Sequence, residues 1–225
     1  MTTRISVHDL CRRRLGDLES APEFSNLQIN QWINDAIADY SVFFPRELSG
    51  DLTLTTGTHS YSMSTLTGLK RVLKVEYPKG QDPPEYLVKS VEKDSPSSFY
   101  GSYCYDLLDE PPSTIILGPD VTTGQKATIT YQADHDYPAA DSTVLTVPDR
   151  HLELLVLFVR MAAAQEISSK QNMDPQVTTL LSSTLSTHAN RCEREYRTKL
   201  AAFLAADAPG GQMTSWQMDG HDQVY

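Results

Sequence analysis

Long apolar runs are missing from this chain of 225 residues. A membrane-spanning helix needs about 20 consecutive apolar residues. The longest candidate, residues 152–164, is broken by Arg160, so no membrane association is expected. Met1 to Ser6 hold no apolar stretch of the kind a secretion signal carries, so export is not expected either. Cysteine is scarce: Cys11, Cys104 and Cys192 are odd in number and widely spaced, which fits neither a disulfide framework nor a zinc pattern. Thiols kept in a reducing compartment are the simple expectation. Basic residues are outnumbered, with 19 Lys and Arg against 29 Asp and Glu and a net charge of -10. A general nucleic-acid binder would carry the opposite balance, because it must displace counterions from phosphates. No glycine-rich stretch precedes Lys-Ser or Lys-Thr, and no Gly-x-Ser-x-Gly occurs. Those absences exclude the phosphate loop and the nucleophile elbow.

What is present supports a packed fold. The chain is 40% hydrophobic and 21% charged, enough apolar material for one large domain or two small ones. Residues 1–49 read as two helices. Ser6 is the expected cap of the first, with Asp9 three residues on, and Val7, Leu10, Leu15 and Leu18 form its apolar face. Ala21-Pro22 breaks the chain. Ser25 opens the second helix with Gln28 at the capping-box position, and Phe24 with Ile29 as a hydrophobic staple. Leu27, Ile29, Trp32, Ile33, Ala36, Ile37 and Tyr40 then follow a 3.6-residue period. Pro45 ends the helix near Phe44.

Residues 50–148 have a different texture. β-branched, aromatic and turn residues replace the helical period. Short strands are expected at 51–56, 59–63, 69–77, 86–91, 99–107, 114–117, 126–132 and 144–147. That spacing suggests an inserted antiparallel β-sandwich or barrel. The stretch holds 7 basic and 13 acidic residues, most of the chain's negative excess.

From Asp149, read as a cap, the chain is helical again. Leu152, Leu155, Val156, Val159 and Ala163 belong to a helix apolar on nearly every side, which must lie between other helices. Asp174-Pro175 starts the next helix. Its stripe is Val177, Leu180, Leu181, Leu185, His188, Ala189, Cys192, Tyr196, Leu200 and Phe203. At ~1.5 Å per residue it is roughly 45–50 Å long. Pro209-Gly210-Gly211 ends it. The expected fold class is therefore α+β: residues 1–49 and 149–208 form a four-helix-type bundle, 50–148 an inserted β domain, and 209–225 an extended tail.

Few constellations offer chemistry. His188 and Cys192 at i, i+4, with Glu195 nearby, have the spacing of a zinc pair, but packing on the apolar stripe is the commoner use. Asp134, His135, Asp136 and Asp141 offer oxygens for a hard cation, against the plainer reading of a solvated loop. Cys11 beside three arginines could be a reactive thiol or a semi-buried one. The run Arg12, Arg13 and Arg14 suits contact with an acidic partner or nucleic acid, but a solvated helix face is the commoner use of such a run. Because the three point in different directions, at least one is available to a neighbouring chain. Tyr100, Tyr103 and Tyr105 suggest either a binding platform or cross-strand packing. The tail carries Met213, Trp216, Met218, Val224 and Tyr225 with no Lys or Arg. Aromatic residues and Met are enriched at interfaces, so docking onto a partner is expected of it. No catalytic set, metal site or cofactor is expected.

The run from Leu27 through Gln28, Ile29, Asn30, Gln31, Trp32, Ile33, Asn34, Asp35, Ala36, Ile37, Ala38 and Asp39 to Tyr40, followed by Phe43-Phe44-Pro45-Arg46, resembles the second helix of tailed-bacteriophage head-to-tail adaptor (connector) proteins. The later order is also similar: Gly57 to Tyr61, Val72 to Tyr77, Ile115-Ile116-Leu117-Gly118-Pro119, Ala127 to Tyr131, then Val147-Pro148-Asp149 opening an apolar helix. The resemblance implies a structural virion protein without enzymatic activity, assembled in the host cytoplasm and located at the portal vertex. It implies a homo-oligomeric ring, commonly twelve-fold, beneath the portal protein. Packaged DNA would pass through without sequence-specific contact, and a downstream neck or tail protein would dock below. The tail residues Met213, Trp216, Met218, Val224 and Tyr225 are then the expected portal contacts. Arg12, Arg13, Arg14, His188, Cys192 and Tyr196 are the expected intersubunit contacts. Alternatives are a stopper or tail-completion ring and, in a different class, a soluble protein-binding regulatory module.

Overall fold

The helical and the extended stretches separate into two units in the computed structural model: Met1–Phe43 with Asp136–Tyr225, and Phe44–His135. The structure describes residues 2–17, 23–90, 99–108, 111–172 and 179–207. The Ala21-Pro22 break, the Asp174-Pro175 start, Leu18, Val177, the Pro209-Gly210-Gly211 stop and the whole tail lie outside the described residues. So do the side chains of Leu180 and Leu181.

The helical unit contains α1 (Arg4–Leu15), α2 (Asn26–Phe43), α3 (Leu152–Asn172) and α4 (Thr179–Asp207). Here α1 begins before the expected Ser6 cap, with Thr3 as its N-cap residue. The reason is tertiary: its first amides already have acceptors, Arg4 N–H on Thr143 O (3.0 Å) and Ile5 N–H on Asp141 O (3.1 Å). Its buried face is Val7, His8, Cys11 and Arg12, rotated from the all-apolar face expected, because Arg12 brings its own acceptors. At its end Gly16 adopts the left-handed conformation (φ 71°), which lets its amide meet the last carbonyls.

Ser25 does cap α2, its Oγ accepting from Gln28 N–H at 3.2 Å. The reciprocal half of a capping box is absent, because the Gln28 side chain donates to Glu166 of α3 instead. Ile29, Trp32, Ile33, Ala36, Ile37 and Tyr40 are buried as the period requires, and Phe24 packs edge-on against Trp32 at 5.0 Å. Leu27 is the exception at 80% exposed; it sits in the first turn, outside the arc that faces α3.

Asp149 does not cap α3 with its side chain. It starts a single 3-10 turn, Asp149–His151, and its carboxylate accepts from the Thr2 hydroxyl at 2.7 Å. α3 packs against α1, α2 and α4 and buries Leu154, Leu155, Val156, Val159, Ala163 and Ala164. Each large apolar side chain so buried contributes about 1.5–3 kcal/mol, and α3 is the helix that the other three all pack against. The segment expected as a last strand, 144–147, belongs here and is not one. Val144 makes only an isolated bridge with Thr3, and Leu145 N–H bonds Thr2 O at 2.9 Å.

The second unit is one seven-stranded sheet: β1 (Arg46–Thr53), β2 (Ser60–Ser62), β3 (Leu69–Glu76), β4 (Tyr86–Lys89), β5 (Cys104–Leu108), β6 (Thr114–Leu117) and β7 (Lys126–Ala133). The order is β1-β7-β3-β4-β5-β6-β2. All neighbours are antiparallel except β4 and β5, which run parallel. It is a curled half-barrel, since one face gathers Leu52, Val75, Leu87, Tyr105, Ile115, Leu117, Ile129 and Tyr131 into a single core. β1 starts five residues earlier than its alternation of leucines suggests, because Arg46 to Gly50 already pair with Ala133 to Ile129 of β7.

The turn after β6 requires glycine for space. A methyl group on Gly118 would lie 2.5 Å from the Ser102 carbonyl oxygen and 2.7 Å from that of Phe99, where Gly118 O accepts from Gly101 N–H at 2.7 Å. The neighbours are backbone and cannot swing away. Gly118→Ala is therefore expected to destabilise the chain by about 1–3 kcal/mol, the usual cost of overpacking, read as a lowered urea midpoint. An unchanged midpoint would refute this close approach.

Candidate functional site

Of the three consecutive arginines only Arg12 is internal. Gly16 turns the chain back so that Asp17 meets the Arg12 guanidinium, and the two side chains are 3% and 8% exposed respectively. The same guanidinium donates to Phe24 O at 3.0 Å and to Asn26 Oδ1. Asp17 also accepts from Glu23 N–H at 2.6 Å. Arg12 thus ties the end of α1 to the start of α2. Arg13 and Arg14 are exposed, and Arg13 only reaches back to Asp9 O at 3.3 Å. A cavity of about 340 Å³ beside this turn is lined by Ile5, His8, Asp9, Arg12, Asn26, Asn30 and Asp141.

His188, Cys192 and Tyr196 do not share a surface. His188 is exposed, whereas Cys192 (2% exposed) packs with Ala164 and Ala189. Tyr196 is buried, lies edge-on to Phe158 at 5.6 Å, and donates its hydroxyl to the Asp39 carboxylate. Burial first, then that carboxylate, push its pKa up. The expected intersubunit roles of Arg12, Cys192 and Tyr196 meet a plain physical obstacle: each is already enclosed within its own chain. Neither metal reading gains support. The Cys192 sulfur is 3.9 Å from His188 Nδ1, and Glu195 is paired with Arg160. Asp134 is paired with Lys70, Asp141 with Arg4, and His135 Nε2 bonds Phe44 O at 2.9 Å. Among the described residues no three His, Cys, Asp or Glu gather as ligands, and no helix is long and apolar enough to cross a membrane.

Cys11 is buried, and burial raises its thiol to about 12, so it is a packed thiol and not a nucleophile. The tyrosine platform does not form either. Tyr105 is in the sheet core, Tyr103 is 48% exposed with its hydroxyl on Glu85 at 2.9 Å, and Tyr100 lies against His59 at 4.6 Å. The tail residues Met213, Trp216, Met218, Val224 and Tyr225 lie outside the described residues.

Sequence reasoning missed a second buried polar cluster among the described residues of the helical unit. His151, 2% exposed, sits where the 3-10 turn meets α3. Its Nδ1 is 2.5 Å from the Tyr40 hydroxyl, and its Nε2 is 3.2 Å from Asp207 Oδ2. Phe203 packs on the imidazole at 4.6 Å. Arg150 holds the same Asp207 carboxylate at 3.2 Å. A carboxylate in the last described turn of α4 opposes the helix dipole; Arg150 offsets that and ties this part of α4 to the 3-10 turn. No local motif announces this cluster, because its members are remote in sequence.

Two outcomes follow for purified protein. Arg12→Leu leaves the buried Asp17 carboxylate without its cation and is expected to cost about 3–5 kcal/mol in urea unfolding. Arg13→Ala and Arg14→Ala are expected to stay within about 0.5 kcal/mol, and equal effects at all three sites would contradict the assignment. For His151, burial lowers the pKa and Asp207 only partly opposes it. Below about pH 6.5, the ordinary histidine value, the unfolded chain takes up the proton first, so stability falls as pH falls through that window. Thermal unfolding between pH 7 and 5.5 is expected to show this slope, and His151→Gln to flatten it. A slope that survives the substitution assigns the titration elsewhere.

Comparison with known families places this geometry. No curated protein matches the chain. A family model described as SU10 adaptor protein matches residues 3–214. That span takes in α1 to α4 and all seven strands, well over half of the sequence. The chain therefore belongs to the SU10 adaptor protein family, the phage head-tail adaptors.

Proposed function

We propose that this chain is one subunit of a closed ring that docks beneath the portal protein of a filled capsid. The ring, twelve-fold by resemblance, continues the DNA channel outward and offers the attachment surface for the next neck or tail component. The match over residues 3–214 carries this reading: the family's role is structural, not enzymatic, and its members work with other virion components. Nothing in the residue inventory asks for a cofactor. The net charge of -10 suits a channel through which DNA slides, since like charge opposes adsorption. The tail supplies the portal contact in this reading. Met213, Trp216, Met218, Val224 and Tyr225 give it large apolar and aromatic groups and no cation. Such groups are enriched at interfaces. Arg13, Arg14 and His188 are the exposed members of the expected intersubunit set.

The experiment combines purified full chain with portal and images the product by electron microscopy. Rings seated on portal are expected, and a chain ending at Pro209 is expected to lose seating while keeping its circular dichroism spectrum. A full chain that never joins portal, even in assembled particles, overturns the adaptor position. A truncated chain that seats as well as the full one removes the tail from the contact and favours a stopper-like position.

A further inference from the structure

α4 has two seams. The inner one, Leu185, Ala189, Cys192, Tyr196 and Phe203, keeps a mean spacing of seven residues per two turns and turns toward α3 and its neighbours. The outer one advances identically through Thr187, Arg191, Arg194, Thr198, Ala201 and Ala205, and all six are exposed. Two residues further along a 3.6-residue helix is a rotation of about 200°, so the seams lie back to back.

The charges on α4 are matched except at the outer seam. Glu193 pairs with Arg197 at 2.6 Å, Glu195 with Arg160 at 3.1 Å and Asp207 with Arg150 at 3.2 Å. Lys199 reaches Glu153 at 2.8 Å. Arg191 and Arg194, one turn apart, have no ion pair among the described residues. Along the seam itself they are flanked by Thr187, Thr198 and Ala201, which allow close approach of another surface, with exposed His188, Asn190, Glu195 and Arg197 to either side. Two unmatched guanidinium groups stand out in a chain of charge -10.

The sheet unit has the complementary surplus, with 12 acidic and 8 basic residues between 44 and 135. At one end of the sheet, Asp82, Glu85 and Asp120 are all exposed. Tyr77 gathers their loops: its amide donates to Glu85 O at 3.1 Å and its hydroxyl to Asp120 O at 3.4 Å. Of the nearby cations Lys79 is paired with Asp51, whereas Lys126 is exposed and only helps to lower that carboxylate's pKa.

We infer that the outer face of α4, centred on Arg191 and Arg194, docks on the acidic sheet end of a second copy at Asp82, Glu85 and Asp120. The inference rests on the ring reading and supplies its contact. A ring needs a heterologous interface, in which two different patches of each subunit meet, and these patches differ in charge and in place on the chain. Pairing of two α4 faces is opposed, because it would bring four guanidinium groups together. Phosphate backbone is a poorer occupant, because two cations on an acidic chain neutralise few phosphates.

The test uses the full chain assembled on portal, with ring occupancy counted by electron microscopy. The variants are Arg191→Glu/Arg194→Glu, Asp82→Lys/Glu85→Lys/Asp120→Lys, and the combination of both. Each set alone is expected to lower occupancy by about tenfold or more at unchanged thermal midpoint, and the combination to recover most of it. Wild-type occupancy in the arginine variant overturns the inference and leaves the ring reading standing. Loss without recovery in the folded combination also overturns it, assigning the arginines to portal, DNA or the tail. Absence of rings for the unaltered chain overturns the ring reading itself.

Discussion

A helix that is apolar on nearly every side cannot be left against water, and α3 is such a helix. Most of its side chains from Leu154 to Ala164 are buried or half-buried, and α1, α2 and α4 all pack on it. The helical unit follows from that requirement. α1 and α2 come from one end of the chain and α4 from the other, so the unit closes only when distant segments meet. The sheet residues form their own unit between them. Its seven strands share one core face, so it meets its apolar requirement with its own residues.

Enclosure by apolar contact leaves orientation weakly specified, and polar ties supply it. Arg12 with Asp17, Tyr196 with Asp39, and His151 between Tyr40 and Asp207 each join residues on different elements or across a turn. Their value is asymmetric: a buried charge or hydroxyl contributes modestly when matched and costs several kcal/mol, by rough measure, when its partner is removed. These ties therefore discriminate against misaligned packing more than they add to stability. All three lie at helix ends or on α4.

The elements were legible where period and punctuation agree. The Trp32 to Tyr40 period, the Ser25 cap, Pro45, and the strands 114–117 and 126–132 all read through, because each depends on neighbours in sequence. Failures fall where a remote partner decides. Thr3 replaces Ser6 at the start of α1 because the 141–143 segment accepts its first amides. Residues 144–147 look like a strand by composition, yet their partner is Thr2 and Thr3, not a sheet. Arg12 reads as a solvated charge until Gly16 is seen to bring Asp17 back to it. The parallel pairing of β4 with β5 has no signature in alternation, which is the same for either direction. The interaction surface inferred on α4 was legible only by half. The α4 stripe is plain in sequence, but it is the buried side, and the side left in solvent carries no apolar pattern to find.

That last point bears on what an adaptor subunit has to do. A subunit must be stable enough to fold before assembly and still keep a surface that finds its neighbour. An apolar docking face would meet the second need and compromise the first, since exposed apolar patches promote uncontrolled association. A long helix can separate the two tasks because its opposite faces are independent. On α4 the inner face carries the hydrophobic contacts of the monomer, and the outer face carries arginine, threonine and alanine. A charged, small-residue face stays soluble alone and gains attraction only beside an acidic surface. Electrostatic complementarity of that kind sets orientation and rejects wrong partners more than it adds raw affinity. For the heterologous ring proposed above this is the useful property, because in such a ring the same two patches would meet at every joint and neither could pair with itself.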